Sequence, residues 1–391
     1  MEKVIFLVDM NAFYVSCEMA RNSELKGIPA AVAGDPKNRS GIILAANYEA
    51  RKFGVKTTML LHEAKKLCPD IVFVPPDHTY YQKVSKMVMS LLGKYTPLIQ
   101  VNSIDEAWLD MTGCNVLFGE PVVIAQKIMS DIQSELDLWC SIGISENKFL
   151  AKMASERKKP LGITELWVKD IPSMLWPLAI REMVGIGKQM EQKLQRMGIY
   201  KIGDLAKSNK ELMTKYFGKA GTELHQLANG IDSSVVTINA DHDCKSIGRS
   251  TTLNQDTKDF KIIEKILLDL AEEVGTEARQ NNYKGKTVSI VIKYSDFKSI
   301  TRQKTVSPTY LTKEIYQTGL ALINEHWDKC SMIRLLGISI SNFQDPDTEQ
   351  LSLFDGLGFE CKNEKEEKLE KAMDAIREKF GNDKIKRAKS F

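Results

Sequence analysis

The chain has 391 residues, 43% hydrophobic and 27% charged, with 54 Lys and Arg against 51 Asp and Glu for a formal net charge of +3. So large an apolar fraction excludes an intrinsically disordered chain, and the length provides for two to four folded units at roughly 100–200 residues each. The near-balanced charge points to no partner, so any surface that grips nucleic acid has to be local.

In chain order, Val4-Ile5-Phe6-Leu7-Val8 is an unbroken apolar run that ends in Asp9. That is the pattern of a strand buried on both faces with a carboxylate at its C-terminal end. The run, like that over 42–46, is too short for a bilayer, which takes about 20 apolar residues, and its break at Asp9 leaves no core for a secretory signal. No membrane association is expected. A helix is predicted over 12–19, strands over 30–33 and 41–46, a helix over 46–53 that stops at Gly54, and an amphipathic helix over 80–92. Strands over 99–104 and 107–111 flank the adjacent pair Asp105-Glu106. A helix over 121–135, a strand over 138–144 and a helix to about residue 157 complete an alternating α/β unit ending near residue 165.

Beyond Pro172 the pattern is helical and punctuated by glycine as far as Asp232, and the polar stretch 233–245 reads as a linker. Residues 246–343 follow the order βαββαβ, a compact α+β module. The polar, charge-dense remainder, 344–391, contains a predicted helix over 364–380. The seven cysteines are scattered and never in CxxC spacing, and the five histidines form no HxxH or HxxxH pair. Disulfide scaffolds, structural zinc and histidine-ligated metals are therefore not expected, and a reducing cytoplasm is.

The residues that carry chemistry are Asp9, Asp105 and Glu106. Neighbouring side chains on a strand point to opposite faces, so Asp105 and Glu106 at a strand junction would bracket one ion rather than stack on one face. Asp9, from a neighbouring strand end, brings a third carboxylate. Acids so close repel unless a divalent cation neutralises them, and oxygen-only ligation suits Mg2+ or Mn2+. Two such ions about 3.5–4 Å apart serve phosphoryl transfer. The alternative is three solvated surface acids, and spacing alone leaves both open.

Two further features suit phosphate. Val184-Gly185-Ile186-Gly187, followed by Leu194 and Met197-Gly198-Ile199, has glycines that let backbone N–H groups approach a phosphate, although glycine turns between helices are common. From Arg279 to Lys304 seven cations face a single acid, Asp296. Either the run is an ordinary solvated face, or its alternation along strands puts several cations on one sheet face beside a phosphate backbone.

Five motifs in order, Val8-Asp9-Met10-Asn11-Ala12-Phe13-Tyr14, Ala46-Asn47-Tyr48-Glu49-Ala50-Arg51-Lys52-Phe53-Gly54-Val55, Ser103-Ile104-Asp105-Glu106-Ala107, Ser141-Ile142-Gly143-Ile144-Ser145 and Lys245-Ser246-Ile247-Gly248-Arg249, resemble those of the Y-family translesion DNA polymerases. The resemblance is closest to the bacterial DinB-like branch and covers roughly residues 1–343. It implies a right-hand polymerase, mixed α/β and α+β: palm 1–18 and 77–165, fingers 19–76, helical thumb 166–232 with a helix-hairpin-helix, linker 233–245, little finger 246–343 and a flexible tail 344–391. It implies template-directed, low-fidelity addition of dNTPs to a primer 3′ end, past DNA damage, by a cytoplasmic monomer. Asp9, Asp105, Glu106 and the Met10 carbonyl would hold two Mg2+ ions, with Mn2+ as substitute.

By the same resemblance, Tyr14 would be the steric gate against a 2′-hydroxyl, and Tyr48, Arg51 and Lys159 would touch the triphosphate. Primer–template DNA would lie on Gly185 and Gly187, Arg249, Lys284, Lys286, Lys293, Lys298, Arg302 and Lys304. Gln350-Leu351-Ser352-Leu353-Phe354 looks like the bacterial sliding-clamp-binding peptide, with Gln350, Leu351, Leu353 and Phe354 as its anchors. The sequence departs from the family at Ala45, where a phosphate-contacting hydroxyl is usual. Ile42 and Leu44 imply a bulky roof over the nascent base pair. The other reading, a non-catalytic DNA-binding accessory on the same scaffold, would carry lost acidic ligands, and all three are present.

Overall fold

The computed structural model describes residues 3–35, 41–238, 244–344, 360–381 and 385. The chain divides into two compact units, one within residues 1–240 and the other formed mainly by residues 241–391.

The first unit runs β1 (Ile5–Met10), α1 (Phe13–Arg21), β2 (Ala30–Ala33), β3 (Ile43–Ala46), α2 (Tyr48–Lys52), α3 (Leu61–Leu67), β4 (Val72–Val74), α4 (His78–Leu92), β5 (Ile99–Val101), β6 (Glu106–Asp110), α5 (Asn115–Phe118), α6 (Pro121–Leu136), β7 (Cys140–Ser145), α7 (Lys148–Ser155) and β8 (Ile163–Glu165). Helices α8 (Lys188–Arg196), α9 (Ile202–Ala206) and α10 (Lys210–Ala228) follow. The expected strand over 99–104 ends at Val101, because the Asn102 and Ser103 N–H groups turn onto the Glu106 carbonyl. Glu106 therefore opens β6 instead of sitting in the turn. The helix expected over 46–53 starts at Tyr48, where the Asn47 side chain accepts the Ala50 N–H at 3.0 Å and caps it.

Strand β1 is the centre of a five-stranded sheet, β5-β6-β1-β7-β8, antiparallel except between β7 and β8. Its two faces are both covered, as the apolar run requires. Phe6 and Val8 pack into the core formed with α1, α4 and α6, while Ile5 and Leu7 meet Ala151 of α7. Asp9 continues the α7 face at the strand's end. A second sheet, β3-β2-β4, carries α2 and α3 on a small core of its own.

The second unit is β9 (Ser246–Thr257), α11 (Phe260–Gln280), β10 (Gly285–Tyr294), β11 (Ser299–Thr309), α12 (Thr312–His326), β12 (Ile333–Phe343) and α13 (Glu360–Phe380). The expected βαββαβ order is present, folded as an antiparallel sheet β11-β10-β12-β9. Val288, Ile290 and Ile292 of β10 and Leu336, Ile338 and Ile340 of β12 form its core with α11 and α12.

Residues 360–380 are not the free tail expected. The helix starts at Glu360 and is tied to the module: Arg279, almost wholly buried, pairs with Glu370 at 2.7 Å and Asp374 at 2.6 Å. Lys284–Glu367, Lys313–Glu366 and Arg377–Glu272 add to it. The reason is charge complementarity that a composition reading misses, since a run of acids at helical spacing looks the same solvated or paired. Residues 350–354, the expected clamp peptide, lie outside the described residues.

Candidate active site and nucleic-acid interface

The register of β1 with β6 sets Asp9 directly opposite Glu106, and its register with β7 sets Asp9 opposite Ser141. Side chains opposed in this way share a face with Cβ atoms about 5 Å apart. Helix α7 lies over that face because β7 has glycine at 143: a Cβ there would stand 2.0 Å from the Ala151 carbonyl oxygen. The close approach brings Lys152 onto the acids. Its Nζ is 3.0 Å from Asp9 Oδ2, 2.5 Å from Glu106 Oε2 and 2.9 Å from Glu156 Oε1. Lys159 Nζ takes the other Asp9 oxygen at 2.8 Å and shares Glu156 at 2.9 Å. Burial alone would lower the Lys152 ammonium, but the charge of Asp9 and hydrogen bonds to Glu106 and Glu156 outweigh it and hold its pKa above that of ordinary lysine.

Asp105 does not join this pair. Its Oδ1 accepts the Ser103 hydroxyl at 2.5 Å, while Glu106 also accepts from Asn102. Among the described residues, no three His, Cys, Asp or Glu side chains stand close enough to hold a metal ion as they lie. All three acids nevertheless line one cleft of about 470 Å³, with Met10, Tyr14, Leu44, Ala45, Tyr48, Arg51, Thr57, Lys152 and Lys159. The donors are hard oxygens, and a positive charge already sits between two of them. That chemistry fits a divalent cation.

The phosphate candidates converge on the same cleft. Arg51 donates from Nε to the Ala46 carbonyl at 2.9 Å and lies over the Tyr48 ring, 5.0 Å from its centroid. The Tyr48 hydroxyl is buried and has no hydrogen-bond partner among the described residues. An orphaned hydroxyl beside a guanidinium and an ammonium is arranged for an anion with several acceptor oxygens. Lys159, expected on the phosphates, pairs here with Asp9 and Glu156. Tyr14 lines the cleft and stacks on Tyr81, ring centroids 4.5 Å apart at 16°.

Sequence reasoning did not find Lys152, Ser103 or Thr57. Lys152, four residues before Glu156, reads as one half of an exposed i, i+4 pair; only the glycine at 143 hints that its helix lies close. Ile42, expected in the roof, forms a bridge with Leu60, whereas Leu44 and Ala45 do face the cleft, where Thr57 brings a hydroxyl that Ala45 lacks.

Gly185 has φ +91°, in the left-handed region that favours glycine, and Gly187 precedes α8 with open space at its Cα. In the second unit, where several cations are expected on one sheet face, the register divides them between the two faces. Lys304 lies opposite Val288, Arg302 opposite Ile290 and Arg249 opposite Ile338, on the face that bears the helices, and all three are exposed there. Accordingly Arg249 pairs with Glu277 and Glu273 of α11, and Lys284 with Glu367. Lys298 sits in the β10–β11 turn with Asp296 at 3.1 Å, and Lys286 is exposed near the start of β10. The open face carries Lys293 among hydroxyls and small residues: Thr287 and Ser289 opposite Ser341 and Ser339, Thr305 and Gln303 on β11, and Gly248 and Ser250 on β9.

The chain matches the impB/mucB/samB family over residues 8–156, that family's C-terminal domain over 244–353 and the thumb domain described for DNA polymerase-iota over 181–232. It is 57% identical to a DNA polymerase IV of Clostridium kluyveri, over 99% of this chain and 98% of that one. It is 54% identical to a DNA polymerase IV of Alkaliphilus oremlandii, over 99% of each. Among solved structures, a Y-family DNA polymerase chimera of Dbh and Dpo4 aligns with a TM-score of 0.78 at 29% identity, covering 87% of this chain and 99% of the other.

Proposed function

The chain belongs to the DNA polymerase IV family of Y-family translesion DNA-directed DNA polymerases, and on that premise we propose that it extends primers by a two-metal mechanism, at low fidelity and past damaged template bases. The observation that carries this reading is the pairing of Asp9 and Glu106 across one ammonium, in a cleft that Tyr48 also lines, its hydroxyl without a partner among the described residues.

Asp9, Asp105, Glu106 and the Met10 carbonyl would hold two Mg2+ ions, with Mn2+ able to substitute. When bound, such ions supply the charge that eases ionisation of the primer 3′-hydroxyl and stabilises the leaving oxygen. The primer 3′-hydroxyl gives its proton to water, a bond forms from the 3′-oxygen to the α-phosphorus of the dNTP, the α–β anhydride bond breaks, and its electron pair leaves on pyrophosphate. The protein's own groups prepare this. Lys152 and Lys159 keep the carboxylates neutralised until substrate arrives, and Lys159 then exchanges Asp9 for the triphosphate. The Tyr48 hydroxyl and Arg51 orient that triphosphate, and Tyr14 lies beneath the sugar and excludes a 2′-hydroxyl.

Backbone N–H groups after Gly185 and Gly187 take a phosphate of the duplex. On the second unit, Lys293 and the hydroxyls around it suit the sugar–phosphate backbone, with Lys286, Lys298, Arg302 and Lys304 at the margins and Arg249 and Lys284 after release from their acids. The peptide at 350–354 would tether a monomeric cytoplasmic enzyme to a sliding clamp and offset weak processivity.

The test is primer extension with one dNTP at a time on undamaged and abasic templates, with Mg2+, Mn2+ or chelator. Insertion on both templates, misinsertion on the undamaged one and arrest by chelator are expected. Strictly faithful insertion that stops at the abasic site would contradict the low-fidelity, lesion-bypassing reading.

A further inference from the structure

Beneath Tyr14 lies a polar network, buried at Glu18 and Tyr81 and distinct from the groups assigned to metal and phosphate. Tyr81, wholly buried, is the ring on which Tyr14 stacks, and its hydroxyl donates to Glu18 Oε1 at 2.6 Å. Glu18 is itself buried, 2% exposed, on the inner face of α1, the helix that also carries Tyr14. Its carboxylate is gripped by Arg21, Nε to Oε2 and Nη2 to Oε1, both at 2.8 Å. Arg21 reaches on to Asp77 at 3.0 Å, and Asp77 caps α4, the helix that carries Tyr81, through the Tyr80 N–H. One carboxylate thus joins the helix bearing Tyr14 to the helix bearing the ring under it.

Burying a carboxylate is costly, and an apolar residue packed between two helices would serve stability as well or better. What the carboxylate provides is direction: a short charge-assisted hydrogen bond fixes the tilt and depth of Tyr81, whereas apolar packing alone tolerates small slides. A slide of the lower ring is passed to the upper one, because the two are stacked nearly parallel.

We propose that Glu18 is a positioning residue for sugar selection, which fixes Tyr81 so that Tyr14 is held at the height that admits a deoxyribose and rejects a ribose. The inference rests on the reading of Tyr14 as the steric gate.

The measurement is kcat/KM for a dNTP and for the matching rNTP on one primer–template. Tyr81→Phe removes only the hydroxyl, and Glu18→Leu removes the acceptor at similar volume. Both are expected to raise kcat/KM for the rNTP and narrow discrimination by about three- to tenfold, the scale of one buried hydrogen bond. Glu18→Gln, which keeps an acceptor, is expected to restore most of it. Tyr14→Ala should abolish discrimination, and adding Tyr81→Phe to it should change nothing further. Equal loss on both substrates, or unchanged discrimination in Tyr81→Phe, would overturn the inference even if Tyr14→Ala behaves as expected. Unchanged discrimination in Tyr14→Ala would overturn the gate itself. Should Glu18→Leu fail to fold, Tyr81→Phe alone decides.

Discussion

A single hydrogen at position 143 controls where Lys152 stands in the cleft. A methyl there would collide with the Ala151 carbonyl, so Gly143→Ala must push α7 away from β7. It is expected to destabilise the protein by about 1–3 kcal/mol, the range of overpacked cores, and to lower kcat/KM as Lys152 withdraws; thermal melts and steady-state kinetics read the two. The lysine itself makes a second prediction. With its ammonium gone, Glu106 loses its cation and Asp9 keeps only Lys159, so Lys152→Met should be stabilised by Mg2+ more than wild type is, its Tm rising by roughly 2–4 °C more per kcal/mol of added binding. An equal Mg2+ response in both proteins would mean that the ammonium is no stand-in for a cation. Elsewhere, burial pushes the Cys17 and Cys140 thiols up to about 12, which leaves neither reactive as a nucleophile.

At the scale of elements, α13 is held by charge rather than by apolar packing. Arg279 sits between Glu370 and Asp374 and also donates to the Tyr310 carbonyl at 2.9 Å. Removing one member of a buried ion network strands the rest, so Arg279→Ala should weaken the docked helix by about 3–5 kcal/mol, seen as fast amide exchange across 365–380 with β10 and β12 still protected. Acid should do the same. Burial tends to raise the Glu367 carboxyl, but hydrogen bonds from Lys284 and Tyr310 outweigh that and lower it below the ordinary 4.5. A pKa lower in the docked than in the undocked state contributes stability that is whole above 4.5 and is lost as pH falls through the docked value. Protection of α13 should therefore fall before that of the sheet as pH drops below 4.5.

These elements also mark how far the sequence could be read. The approach of Asp9 to Glu106 was left open by spacing and implied by the resemblance, whereas the βαββαβ order and the buried run ending in Asp9 followed from apolar periodicity, which reports burial and strand ends directly. The docking of α13, the turn of Asp105 toward Ser103, the role of Lys152 and the side of the sheet that Arg302 and Lys304 occupy did not. Each depends on which residue of another element stands opposite. Strand register decides that, and a one-residue change of register moves a side chain to the other face.

For the whole molecule, the near-zero net charge conceals local order. Acids are spent on the cleft and on α13, and many cations are paired with them, so affinity for DNA should come from many modest contacts, hydroxyl as well as ionic. Lys293→Ala should weaken primer–template binding and lower the salt dependence by about one unit of slope, read by anisotropy across a salt series. Deleting residues 350–354 should remove stimulation by a sliding clamp while distributive synthesis continues; equal loss of both would count against a tether.

On the proposed mechanism the acids at the end of β1 and at the turn into β6 perform the chemistry. Single-turnover insertion of one correct dNTP tests it most directly in Asp105→Ala and Glu106→Ala, with primer–template affinity measured alongside. A rate lower by at least about a thousandfold with affinity changed only a few-fold is expected, and insertion at a near-normal rate in either variant would overturn the assignment.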